Sequence, residues 1–358
     1  MLFRRFRRPN GDQRAESAHE LGFGAPVEPL AAEPHSTPPS PPAPAPAADL
    51  AVPARIERPT NLATATPTGT LMRERWAPVV VDRPVTSFEP RPANRSPYLP
   101  DTIVDAWSTS HFTVRLASIR GYGHRYYGTP RQDDAVVAVH DPTGILLFAV
   151  ADGVSAAERA EVGARLACRT AVDGMLAALN ADPRELDWTH LVESIARRLV
   201  ELAQPRHGPP DGDPARAEEL FATTLVAGLV EPTATGSMAT LVQIGDSGAW
   251  LLDRGRYHGV LRQKSDHDAL VVPSTVSALP QLPVQIEPVT VPLIPGKVLL
   301  VGTDGFGDPL GDGSGPVGDL FREVLASPPP PLGLAHALDF SRETFDDDRT
   351  LLGVWPLS

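Results

Sequence analysis

Ile145–Ala151 reads ILLFAVA, an unbroken apolar run, and Asp152 follows it at once. The run is far too short to span a membrane, and with no polar alternation it reads as a strand buried on both faces. Three more strand-like runs abut aspartates. Gln132-Asp133-Asp134 precedes AVVAV, KVLLVGT precedes Asp304-Gly305, and Asp347-Asp348-Arg349-Thr350 precedes LLGVW. A carboxylate just outside a buried strand is costly unless something neutralises it. If these strands are neighbours, Asp133, Asp152, Asp304 and Asp347 converge on one negative pocket. Such a pocket is an oxygen-rich site suited to Mg²⁺ or Mn²⁺.

The net charge of -12 argues against a nucleic-acid partner, which needs a basic face. The single cysteine, Cys168, rules out an intrachain disulfide or a Cys-rich zinc site, and it reads as a packed core residue. MLFRRFRR at the start is basic, but no apolar segment follows it, so it does not read as a secretory signal. With no run long enough to span a membrane, the expected location is the cytoplasm.

Nineteen of the 40 prolines fall in the first hundred residues, with a low-complexity centre at Ser36–Ala47. So many prolines forbid a helix or a central strand, so residues 1–108 are expected to form a disordered Pro/Ala-rich tail or linker. Residues 109–358 are expected to form one domain. There, strands are expected at His111–Ile119, Ala135–His140, Ile145–Ala151, Thr223–Val230, Ala239–Ile244, Ala249–Leu252, Gln285–Val291, Lys297–Val301 and Leu351–Trp355. Apolar spacing predicts helices over Ala157–Leu179, Trp188–Leu202, 317–327 and 333–344. The order suggests an α+β fold with helices packed on a mostly antiparallel β core.

Several short motifs occur in order beside these strands: Gly121-x-x-His124, then Pro130-x-Gln132-Asp133, FAVADGVSAAERAEVGARLA over 148–167, Thr223-Thr224-Leu225, Gly245-Asp246-Ser247, Thr303-Asp304-Gly305 and Asp347-Asp348-Arg349-Thr350. Together they resemble the metal-dependent protein phosphatase 2C (PPM-type) family, in its bacterial Ser/Thr branch, over residues 111–356. The resemblance implies an α-β-β-α sandwich, two antiparallel sheets flanked by helix pairs, with two Mn²⁺ or Mg²⁺ ions at one end. Asp152 would bridge the two ions and the Gly153 carbonyl would bind one. Asp304 and Asp347 would bind the other, and Asp133 would hold metal-bound water. Asp246 matches an aspartate that in some members helps hold a third ion. The implied reaction is hydrolysis of phosphoserine or phosphothreonine in proteins by a metal-activated water. The implied partners are phosphorylated proteins and, given a composition rich in Ala, Arg, Pro and Gly, a cognate Ser/Thr kinase.

The chain departs from the family pattern in places. Val154-Ser155-Ala156 stands where Met-Gly-Gly is common, Ala222 replaces a glycine, and Gly248 stands where an arginine often follows Gly-Asp-Ser. Thr129 occupies the usual place of the phosphate-binding arginine, Arg125 and Arg131 lie nearby, and Arg125 is the substitute chosen. His124 reads either as an orienting residue or as a structural histidine, and Glu161 as a solvated or capping residue. Lys264–Asp268 and the stretch 273–295 read as loops and an edge strand near substrate. Two alternatives stay open: a catalytically weak pseudophosphatase serving as a binding module, and a two-metal phosphatase of a small phosphorylated metabolite.

Overall fold

The computed structural model describes residues 76–93, 99–182, 186–205, 212–234, 236–261 and 278–357. In chain order the first half runs β1 (Thr102–Ser108), β2 (Phe112–Ile119), α1 (Tyr122–Tyr127), β3 (Asp134–His140), β4 (Ile145–Ala151), α2 (Ala160–Ala181), α3 (Trp188–Ala203) and α4 (Pro214–Phe221). Strands β5 (Leu225–Thr233), β6 (Gly236–Ile244), β7 (Gly248–Asp253), β8 (Arg256–Gly259), β9 (Val289–Leu293) and β10 (Lys297–Gly302) follow. The chain closes with α5 (Asp304–Leu310), α6 (Pro316–Val324), α7 (Pro331–Leu338) and β11 (Arg349–Pro356).

Two antiparallel sheets result, one ordered β1-β2-β11-β10-β7-β8 and the other β3-β4-β5-β6-β9. They pack face to face and carry helices on their outer faces, which is the expected α-β-β-α sandwich. Strand β4 shows why its sequence had to be apolar throughout. Leu146, Phe148 and Val150 enter the core between the sheets, while Ile145, Leu147, Ala149 and Ala151 pack under helices α2 and α3. Strand β10 divides the same way, with Leu299 and Val301 between the sheets and Val298 and Leu300 under the other helix layer.

Helix α2 buries Ala164, Ala167, Cys168, Ala171, Met175 and Leu179, a stripe of near-helical period. Asp187 caps α3 by accepting the His190 N–H at 2.9 Å. Helix α4 is short, with only Ala217 and Phe221 buried, so its pattern was too brief to read from sequence. Asp213 at its N-cap and Pro214 in its first turn are its local start signals. On the other face Trp250, Phe306, Phe321 and Phe340 form an edge-to-face row, with successive centroids 5.6, 5.0 and 6.1 Å apart.

The folded unit starts well upstream of the expected boundary at residue 109. Strand β1 pairs with β2 along its whole length, from Thr102↔Ile119 to Ser108↔Thr113. It was missed because TIVDAWS mixes polar and apolar residues, as befits a half-buried edge strand. Residues 79–85 are also folded, along 341–343. The Val81 N–H donates to the Ser341 carbonyl at 2.9 Å, the Ser341 N–H to the Val79 carbonyl at 2.7 Å, and the Glu343 N–H to the Arg83 carbonyl at 2.6 Å. Asp82 pairs with Arg342 at 3.2 Å, and Val81 is buried in the outer core. This segment is closed by contacts far away in sequence, which a local reading of proline content does not detect. The expected disorder of residues 1–75 and the expected loop at Lys264–Asp268 lie outside the described residues. Strand β9 is an edge strand, as expected, but starts at Val289 and not at Gln285. Among the described residues no helix is long and apolar enough to cross a membrane.

Candidate metal centre

Strand register brings the motif aspartates to one end of the sandwich. Asp134↔Ala151 pairs the start of β3 with the end of β4, so Asp133 and Asp152 are neighbours. In the other sheet Gly302↔Leu351 pairs the end of β10 with the start of β11, and Arg349↔Ile119 brings in the end of β2. Asp304 and Asp347 therefore flank the same edge. Sequence separation is bridged here by backbone ladders, and the carboxylates simply project from their ends.

The electrostatics show how closely the groups gather. Burial, then the carboxylates of Asp133 and Asp304, push Asp152 well above the ordinary carboxylate range, with a side-chain hydrogen bond to Asp304 and the charge of Asp347 adding to the shift. Burial and Asp348 raise Asp133 well above that range too, against the pull of the Thr350 and Thr303 hydroxyls. Burial and Asp348 likewise raise Asp347. Carboxylates that raise one another in this way form a site short of positive charge.

Asp133 is 2% exposed. Its Oδ2 accepts from the Thr303 hydroxyl at 2.8 Å and the Thr350 hydroxyl at 2.7 Å, while its Oδ1 is buried with no hydrogen-bond partner. An orphaned carboxylate oxygen inside an acidic cluster is a ready cation ligand. The donor set is all oxygen, which suits Mg²⁺ or Mn²⁺ and not a softer metal. The residues present therefore fit the ions that the sequence implies.

Backbone packing fixes the loops that carry these aspartates. A Cβ on Gly305 would lie 1.8 Å from the Asp348 carbonyl oxygen, so only glycine lets the Asp304 turn meet the Asp347-Asp348 loop. A Cβ on Gly153 would lie 2.7 Å from the backbone carbonyl of Ala160, which presses helix α2 against the Asp152-Gly153 turn. The Asp152 carbonyl accepts from the Thr224 N–H at 2.7 Å and the Thr223 hydroxyl at 2.9 Å. Thr224 Oγ1 takes the Asp152 N–H at 3.0 Å and meets Ser247 Oγ at 2.7 Å, which ties in the Gly245-Asp246-Ser247 turn. Asp246 itself is half-buried there and is not among the principal groups acting on Asp133, Asp152 or Asp347.

Asp348 was not singled out from sequence, although it is 2% exposed and central to the loop. It accepts the Gly121 N–H at 2.6 Å and the Gln132 N–H at 2.5 Å, holding the opening motif against the last one. His124 Nδ1 lies 2.8 Å from Asp348 Oδ1, and its Nε2 lies 3.9 Å from Asp347 Oδ1. Burial opposes protonation of His124, but the carboxylates of Asp348, Asp347 and Asp133 outweigh it and raise its pKa. His124, Asp347 and Asp348 each place a ligand atom within 4.8 Å of the others. Thr303 and Thr350 stood inside the quoted motifs without a role assigned to their hydroxyls, and Ser118, a single hydroxyl residue in an apolar strand, gave no sequence signal.

Arg125 is drawn elsewhere. Its Nη1 pairs with Asp339 at 2.9 Å, and its guanidinium lies over the Tyr122 ring at 5.2 Å; neither partner belongs to the cluster. Glu161 needs a correction: it is buried in the first turn of α2, not solvated, because Gly153 and Phe221 pack against that turn.

A family model described as protein phosphatase 2C matches residues 120–338, more than half of the chain. No curated protein sequence matches it. Among solved structures, the chain is similar to PppA of Pseudomonas aeruginosa at 18% identity, covering 71% of this chain and 100% of that one, with a TM-score of 0.47. It is similar to the serine/threonine phosphatase PstP/Ppp of Mycobacterium tuberculosis at 18% identity, covering 68% and 98%, with a TM-score of 0.46. The catalytic domain of PstP in complex with two manganese ions gives 18% identity, 69% and 99% coverage, and a TM-score of 0.47. On the match over residues 120–338, with the motifs in order along it, this chain belongs to the protein phosphatase 2C family of metal-dependent phosphatases.

Proposed function

We propose that this chain hydrolyses phosphoserine and phosphothreonine esters in proteins, using divalent ions held by Asp152, Gly153, Asp304 and Asp347. The observation that carries the reading is the convergence of Asp133, Asp152, Asp304 and Asp347 from both sheets on one pocket, with the buried Asp133 Oδ1 left free. When bound, two Mn²⁺ or Mg²⁺ ions would lower the pKa of a water and neutralise charge on the phosphoryl oxygens. Asp152 interacts with both Asp133 and Asp304 and is the carboxylate suited to bridging. Asp304 and Asp347 complete the set from the six-stranded sheet, and Asp133 orients water at its inner wall. Asp246 would hold a further, weaker ion. In the reaction water adds to phosphorus, the ester P–O bond breaks, and the leaving oxygen takes a proton, giving inorganic phosphate and a serine or threonine hydroxyl. His124 stands beside Asp348 and Asp347 at the edge of the cluster. The domain is read as 76–358 with an N-terminal arm, acting in the cytoplasm opposite a Ser/Thr kinase.

One observation favours a second reading, a binding module with little turnover. The guanidinium chosen from sequence for phosphate, that of Arg125, is already taken by Asp339. The deciding experiment is hydrolysis of a phosphothreonine peptide by metal-stripped protein titrated with Mn²⁺ and then Mg²⁺. The phosphatase reading expects activity that appears with metal and is lost in Asp304→Asn. Metal binding without turnover would instead support the module. Equal or better kcat/KM on a small phosphate ester would move the substrate from proteins to metabolites.

A further inference from the structure

Arg131 has no part in the chemistry above, yet its side chain is among the most deeply buried, at 1% exposure. A buried guanidinium is costly unless its N–H groups and its charge are matched. Its Nε donates to the Pro100 carbonyl at 3.2 Å. Its Nη1 donates to Ser118 Oγ at 2.8 Å and to the Asp133 carbonyl, and its Nη2 faces Asp134 Oδ1 at 3.8 Å. Ser118 is on β2 of one sheet, and Asp133-Asp134 open β3 of the other. The guanidinium therefore clasps the two sheets at the end where the carboxylates gather.

The contacts beyond Ser118 give the clasp a direction. Ser118 and Thr350 are register partners on β2 and β11, and their hydroxyl oxygens lie 2.7 Å apart. Thr350 Oγ1 donates its one proton to Asp133 Oδ2. Between the two hydroxyls Ser118 must then be the donor, and Arg131, which has no acceptor atoms, supplies the bond into Ser118. Every bond runs one way, from Arg131 to Ser118 to Thr350 to Asp133 Oδ2, and such chains polarise along their length. With the Thr303 hydroxyl also on Oδ2, the carboxylate can turn only its Oδ1 toward the cluster.

The structure assigns Arg131 as a positioning residue that holds Asp133 at both ends, directly at its carbonyl and through Ser118 and Thr350 at its carboxylate, so that Oδ1 is presented to the metal centre. This rests on the metal-centre reading above. The test is Mn²⁺ titration calorimetry on the metal-stripped full chain for wild type, Arg131→Met, Arg131→Lys and Ser118→Ala, with phosphopeptide KM measured at saturating Mn²⁺. Loss of an outer-shell partner of a metal site costs roughly 10–100-fold in metal affinity, and because Asp133 acts through metal-bound water the lower end, about tenfold, is the expectation for Arg131→Met, with KM unchanged. Ser118→Ala keeps the guanidinium and removes only the relay, so it should weaken Mn²⁺ in the same direction by less. Arg131→Lys should fall between wild type and Arg131→Met. If Arg131→Met and Ser118→Ala bind Mn²⁺ as wild type does and merely melt earlier, Arg131 is a sheet clasp alone and the proposal fails. A raised KM at unchanged Mn²⁺ affinity would make Arg131 a phosphate contact and also overturn it. Should Arg131→Met not fold, Ser118→Ala decides. If wild type itself binds no Mn²⁺, the metal-centre reading falls first, before any substitution is compared.

Discussion

The two outer faces of the sandwich are covered in different ways. Over the five-stranded sheet lie α2 and α3, of 22 and 16 residues, each with a continuous apolar stripe. Over the six-stranded sheet lie three helices of 7, 9 and 8 residues together with the segment 79–85. The long helices meet the carboxylate cluster only where Ala160, at the start of α2, packs on the Asp152-Gly153 turn, while Met175 and Leu179 sit many turns away. On the other face, cover and ligand loops are the same stretches of chain. Phe306 is two residues from Asp304, and the stretch from Phe340 to Phe345 leads straight to Asp347. Arg349, buried just after the ligand loop, donates to the carbonyls of Leu338, Phe340 and Phe345 and lies 3.9 Å over the Phe340 ring. Packing on that face is therefore a condition for the site, and on the first face mainly a condition for the fold.

The sharpest break of this comparison would come at the ligands, where the two faces should behave alike. Asp152→Asn and Asp304→Asn, one from each side, should each lower turnover on the order of a thousandfold, by analogy with the loss of a transition-state electrostatic contact. Both should stay folded without metal, because each removes repulsion among the carboxylates. Near-wild-type turnover by either would undo the assignment of that residue.

Away from the ligands the faces should part. Phe306→Ala and Met175→Ala each empty a core position and should cost roughly 3–5 and 2–5 kcal/mol respectively in denaturant melts. Only Phe306→Ala should also weaken Mn²⁺ binding by the folded fraction. Equal Mn²⁺ affinities in the two variants would show that the six-stranded face is no more tightly coupled to the site. A smaller effect of the same kind is expected from truncation. Removing residues 1–75 should leave melting unchanged, whereas removing 1–93 forfeits at least the roughly 1.5–3 kcal/mol of burying Val81. Identical melting of the two shortened proteins would put the segment 79–85 outside the fold.

The mildest test uses pH. Asp133, Asp152 and Asp347 have folded pKa values raised above the 3.8 of an unperturbed aspartate. A raised folded value means that the protonated form is favoured by the fold. Their contribution to stability is then full below the unfolded value and is lost as pH rises through the folded ones. Metal-stripped protein should accordingly lose melting temperature as pH rises from the unfolded value through the raised folded values, with a shallower slope in Asp152→Asn. An unchanged slope in that variant would mean that the cluster does not carry the effect.

The same contrast explains what could be read from sequence. The five-stranded half was legible because ILLFAVA and the α2 stripe announce burial by themselves, and because Asp133 and Asp152 each abut an apolar run. The six-stranded half was legible only in part. Strand β1 mixes its polarity, β8 is four residues long, and α5 starts inside the Thr303-Asp304-Gly305 motif. Asp348 stood in the text next to a residue already chosen, and Arg131 was weighed there only as an arginine for phosphate. What they do depends on Gly121, Gln132, Ser118 and Thr350, which meet only through strand register, and register is not a local property of the sequence. The choice of Arg125 for phosphate illustrates the limit: proximity along the chain suggested it, but Asp339, more than two hundred residues away, claims its side chain.

The strand order of the larger sheet also separates two kinds of boundary. The family match runs from Arg120 to Leu338, and within it lie all seven described helices and the entire β3-β4-β5-β6-β9 sheet. Strands β1, β2 and β11 fall wholly outside, although they make up half of the other sheet and β11 directly follows Asp347. A fragment cut at the limits of shared sequence would keep most of the recognisable motifs, lose Asp347 from the carboxylate cluster, and expose the flank of β10 as an unpaired edge. For this chain, the limits of recognisable ancestry are narrower than those of a self-supporting molecule.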